Sequence, residues 1–107
     1  MWFVFPQLEG LGRSWMANKF AISCRDEAQA YVGHSILGPR LKDCTRLVNL
    51  VERRSIEQIF GYPDNLKFRS SMTLFSCIGS DNEVFVAALQ KYFGGQPDRL
   101  TLERLRL

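Results

Sequence analysis

The apolar positions of this chain fall into short blocks with helical spacing, and one block is apolar on most of its sides. In residues 64–78, DNLKFRSSMTLFSCI, a rotation of about 100° per residue spreads Leu66, Phe68, Met72, Leu74, Phe75, Cys77 and Ile78 over roughly two thirds of the helix circumference. A helix with so little polar surface belongs at the centre of a fold. Asp64, directly after Pro63, suits its N-cap, and Gly79 suits a left-handed stop. Lys67, Ser70 and Ser71 fall inside the apolar arc, one turn apart on one face.

The remaining blocks predict further helices. The opening run Met1–Phe5, closed by Pro6, reads as a short strand or the last turn of a helix. Residues 7–14 form a loop by their glycines, and Trp15, Met16 and Phe20 make a short apolar turn. Ser23 is placed to cap a helix that carries Ala28, Tyr31 and Val32 and stops at Gly33. Ser35 is placed to cap the next, in which positions 37, 41, 44, 48 and 51 recur at spacings of three and four. Lys42, Asp43, Arg46, Asn49 and Arg53 face away from that stripe, which makes this the clearest amphipathic helix in the sequence. Ser55–Gln58 (SIEQ) is a capping box for a short helix ending at Gly61, and Ser80–Glu83 (SDNE) is a second. The latter opens a helix of Val84, Phe85, Ala88, Leu89, Tyr92 and Phe93 that Gly94 and Gly95 terminate. Asp98 can cap a last helix bearing Leu100, Leu102, Leu105 and Leu107. No segment after Pro6 alternates with period two. The pattern therefore predicts an all-α orthogonal bundle of five or six helices around residues 64–78, one domain over residues 1–107.

Composition narrows the class without assigning an activity. With 46% hydrophobic and 23% charged residues, the 107-residue chain sits in the ordinary globular range. The net charge of +3 is mild. Arg53, Arg54, Arg99, Arg104 and Arg106 are not interleaved with exposed aromatics and accompany no helix-turn-helix or RNA-binding motif, so they read as solvated faces and no nucleic-acid partner is expected. Cys24, Cys44 and Cys77 are odd in number and widely spaced, unlike a disulfide framework or a zinc site. They read as small buried hydrophobes in a reducing, cytoplasmic setting. No apolar run approaches the roughly 18 residues that would span a bilayer, and MWFVF lacks the basic start and cleavage site of a signal peptide. No membrane partner and no cofactor are implied.

Four stretches, MWFVFPQLEGLGRSWM, DEAQAYVGHSILGPRLKDCTR, IFGYPDNLKFRSSMTLF and YFGGQPDRLTLERL, resemble in order a family of small bacterial all-helical proteins of unknown function, sometimes labelled calpastatin. The resemblance covers nearly the whole chain and implies an all-helical fold. Members carry a further N-terminal helical segment, so this chain looks like a short form. They commonly have proline where this chain has Ser35, a change that leaves a helix start intact because serine can cap. A missing segment would leave Trp2, Phe3 and Phe5 as an apolar patch for homo-oligomerisation or a partner.

The candidate chemistry lies in polar residues on apolar faces. Arg40 falls between Leu47 and Val51 near a helix N-terminus, where it could hold a carboxylate or phosphate or pair with a neighbouring acid. Lys67, Ser70 and Ser71 could face a ligand, or Lys67 could reach water over the core while the serines admit a close helix. Arg13, in the glycine-rich GLGRS loop, and Gln7 and His34 are placed at the rim. GLGRS lacks both the Walker spacing and GxGxxG, and His34 alone excludes a multi-histidine metal site within the chain. His34 equally reads as a loop residue bonding to backbone between two helices. Two functions stay open. One is a binding domain, or an enzyme, for a small anionic ligand, with a nucleotide the first to try because the order of motifs is similar to that of N-glycosidases acting on ADP-ribose-type compounds. The other is a non-catalytic module that self-associates or docks a partner through Met1–Phe5.

Overall fold

The computed structural model describes residues 4–8, 21–79 and 81–105. Among them the chain forms six helices: α1 (Arg25–Gly33), α2 (Leu37–Leu50), α3 (Ile56–Phe60), α4 (Asp64–Ser76), α5 (Glu83–Phe93) and α6 (Arg99–Leu105). The described part of the opening run is neither strand nor helix. Just after it, Leu8 forms one isolated parallel bridge with Ile22, and the Ile22 amide donates to the Gln7 carbonyl at 2.7 Å.

The expected hub is present. α4 packs against α1, α3, α5 and α6, and Phe68, Ser71, Met72, Thr73, Leu74 and Phe75 are wholly shielded from solvent. Phe68 is the node of the aromatic core. Its ring meets Phe5 edge-on at 5.0 Å and lies 5.1 Å from Phe60, with Tyr92 and Phe93 farther out at 6.5 and 6.4 Å. One helical turn pair on, Phe75 lies between Tyr31 of α1 and Phe85 of α5. Leu66 does not join them. It is 44% exposed, so the buried arc is narrower in the first turn than the sequence pattern suggests.

Burying so much of a helix that contains serine and threonine requires partners for their hydroxyls. Most turn back on the helix itself: Ser70 donates to the Leu66 carbonyl at 3.2 Å, Thr73 to Arg69 at 2.8 Å and Ser76 to Thr73 at 2.8 Å. Thr73 also accepts the Asp98 amide at 2.8 Å, which ties the start of α6 to the hub. At the far end of α4 the exposed carbonyls are taken from outside, Ser76 by the Asn82 side-chain amide and Cys77 by the Arg25 guanidinium.

The helix ends follow the sequence where the capping contact is local. Ser55 and Gln58 form the reciprocal capping box, at 3.1 and 2.7 Å, and Asp98 accepts from both the amide and the hydroxyl of Thr101. Gly94 terminates α5 in the left-handed conformation at φ 60°, a region closed to most side chains. Other caps differ from expectation. Cys24 stands at the N-cap of α1, because Ser23 directs its amide and hydroxyl to the Glu27 carboxylate. Pro63 is the N-cap of α4, and Asp64 begins the helix proper and pairs with Lys67. Ser35 does not cap α2. The acceptor is His34 Nδ1, which takes the amides of Ile36 and Leu37 at 3.1 and 3.2 Å. Asn82 stands at the N-cap of α5 without a side-chain capping bond, its side chain committed to Ser76; the expected box rests on Ser80, which lies outside the described residues.

The cysteines are less buried than expected: Cys24 is exposed, Cys44 and Cys77 half-buried, and all three are free thiols. A thiol at a helix N-cap faces the first-turn opening rather than the core.

Candidate functional site

The polar residues that the sequence placed on apolar faces separate into two groups. Lys67, Ser70 and Ser71 stay together on the first half of α4. The Lys67 ammonium lies 3.6 Å from the Asp64 carboxylate, a turn away and partly exposed, so it is loosely held. Ser70 is buried at 7% exposure and satisfied by Leu66. Ser71 is different. Its hydroxyl is fully buried and makes no hydrogen bond among the described residues. Leaving such a group unmet costs about 1–3 kcal/mol, so its persistence asks for a reason. Ser71 follows Lys67 by four residues, which stacks the two side chains on one face of the helix.

The other described candidates lie outside α4. Arg40 is exposed on α2, on the side of that helix away from Gly38, Leu41 and Thr45, which form its buried face. Leu47, taken as its apolar neighbour, is itself 65% exposed. The stripe therefore lies nearer Thr45 than the spacing of leucines and valines alone implies, because α2 packs on α1 and α5 rather than on a single partner. His34 is exposed, and its Nδ1 is engaged in the cap of α2. Gln7 is half-buried with its carbonyl bonded to Ile22. Arg13 and the rest of GLGRS lie outside the described residues, as do Trp2 and Phe3 of the expected apolar patch. Phe5, the patch's third member, is 4% exposed and packed on Phe60 and Phe68, so it faces the core.

A cleft of about 490 Å³ opens elsewhere, lined by Leu8, Ser23, Cys24, Arg25, Asp26, Arg104 and Leu105. Among the described residues singled out from the sequence as ligand contacts, none lines it. Arg104 read as part of a solvated face, and no local sequence pattern joins it to Asp26. Among the described residues no group of three His, Cys, Asp or Glu side chains is disposed to hold a metal ion, and no helix is long and apolar enough to cross a membrane.

These features define a small all-helical domain with a polar pair set into its central helix and an open cleft of mixed charge at its edge. The chain belongs to the DUF1810 family, described as a protein of unknown function, which it matches over residues 1–105. It is similar to a solved structure, the conserved hypothetical protein Rv1873 from Mycobacterium tuberculosis, at 57% identity and a TM-score of 0.97, covering 99% of this chain and 76% of that one. No curated protein matches it. Kinship thus brings a fold and no activity, and the family's description carries no calpastatin label.

Proposed function

We propose that this protein binds a small anionic metabolite, with nucleotides the first class to test, through Lys67 and Ser71 on the first half of α4. The observation that supports this reading is the Ser71 hydroxyl, fully buried with no partner among the described residues and one turn from a cation. A serine kept for packing alone would turn its hydroxyl to the carbonyl four residues back, as Ser70 does in the same helix. Ser71 leaves that bond unmade. An anion accepting from Ser71 and Lys67 together would satisfy the hydroxyl and draw Lys67 from its loose pairing with Asp64.

The test separates a ligand contact from a structural residue. In Ser71→Ala the free protein is expected to hold or gain stability, by up to about 1–3 kcal/mol, since an unmet buried polar group is removed. The same variant, and Lys67→Met, should lose the rise in melting temperature that nucleotides or other anionic metabolites give the parent protein. A Ser71→Ala protein that is markedly less stable, or a parent that no anionic metabolite stabilises, overturns the proposal.

A further inference from the structure

We propose that the cleft between the start of α1 and the last turn of α6 binds a small zwitterion with an apolar side chain, an α-amino acid of the leucine type. The inference is independent of the α4 site, since the two share no residue. Its basis is the pattern of charges in a cleft of about 490 Å³. Leu8 and Leu105 supply apolar surface, Arg25 and Arg104 bring positive charge from two different helices, and Asp26 brings the negative charge.

Asp26 and Arg104 line the same space, yet neither engages a partner among the described residues. Arg25 is fixed from behind, its Nη1 donating to the Cys77 carbonyl at 3.1 Å, so part of the cost of ordering it is met before any ligand arrives. A simple anion would meet Asp26 as a like charge, and a simple amine would meet two guanidiniums. A carboxylate toward the arginines, an ammonium toward Asp26 and an aliphatic side chain on Leu8 and Leu105 match the charged and the apolar residues of the described lining at once.

The experiment is an amide NMR titration of the whole chain with L-leucine and with its two halves, 4-methylpentanoate, which lacks the ammonium, and 3-methylbutylamine, which lacks the carboxylate. Leucine should give saturable shifts at Leu8, Ser23 to Asp26, Arg104 and Leu105, and each half should bind at least about tenfold more weakly. Asp26→Asn should reduce leucine to the level of 4-methylpentanoate, and Arg104→Met should weaken it about tenfold, both with unchanged melting temperatures because these side chains are exposed. Leucine binding no better than its halves, shifts centred elsewhere, affinity unmoved by both substitutions, or no saturation by about 50 mM overturns the proposal.

Discussion

His34 shows how one side chain can close a junction between two helices. Its amide donates to the Tyr31 carbonyl at the end of α1, while its ring nitrogen accepts two amides at the start of α2. Ser35, the residue with the better record as an N-cap, sits one position too late in the turn to do this work. His34→Ala should therefore cost about 1 kcal/mol of unfolding free energy, and His34→Asn, which restores an acceptor, should recover most of it. Urea titrations of the two variants against the parent protein would decide; equal losses in both would place the effect in ring packing instead. The sequence did indicate a backbone-bonding loop residue here, because a polar ring between two helices has unmet amides within reach. It could not choose the acceptor, since that depends on the path of three residues of backbone.

At the scale of the element, close approach matters as much as propensity. Gly38 lies in the first turn of α2, buried against α1, and a Cβ at that position would overlap the Val32 carbonyl oxygen and lie 2.9 Å from its carbon. Alanine is the better helix former by about 1 kcal/mol, so an exposed glycine here would gain from the exchange. The neighbour is backbone and cannot rotate away. Gly38→Ala is accordingly expected to destabilise by about 1–3 kcal/mol, in the opposite direction to propensity, and to lower the melting temperature. A variant as stable as the parent would mean that α1 and α2 separate without cost. Nothing in the pattern of residues 37–51 distinguishes this glycine from a merely tolerated one, whereas the box of Ser55 and Gln58 was legible because both of its bonds span three residues. The candidate site divides in the same way. Lys67 and Ser71 share a helix face by spacing alone, but that the Ser71 hydroxyl is unmet among the described residues is a property of what surrounds α4.

Across the whole molecule, two titratable groups link separate helices and set opposite pH limits. Lys42 of α2 bonds to Asp81 ahead of α5 at 2.5 Å, and that hydrogen bond, with the charge of the same lysine, holds the Asp81 carboxyl below the usual carboxylate range. A lowered folded-state value means the contribution is complete above the unfolded value of 3.8 and is lost as pH falls through the folded one. Asp81 is fully exposed, so the effect should be small and fade with salt. Tyr92 acts at the other end. Its hydroxyl donates to the Val48 carbonyl at the end of α2, and burial pushes it above its ordinary value of 10.0. Its contribution is complete below that value and is lost as pH rises through the higher folded one. Melting curves across pH should show an acid limb reduced in Asp81→Asn and by added salt, and an alkaline limb reduced in Tyr92→Phe. Limbs unchanged by either substitution would assign the pH dependence to other groups.

The sequence by itself determined that the chain is helical, where most helices start and stop, and that residues 64–78 form the hub. Those features rest on repeats of three and four residues and on bonds that close within one turn, so the information and the contact occupy the same stretch of chain. Only the tertiary structure decided which carbonyls Tyr92 and Arg25 satisfy, why glycine stands at 38, and that Arg25, Asp26 and Arg104 border one cleft. Each of these is a meeting of residues far apart in sequence, fixed by how helices pack, and packing is set by the sum of all faces rather than by any one of them.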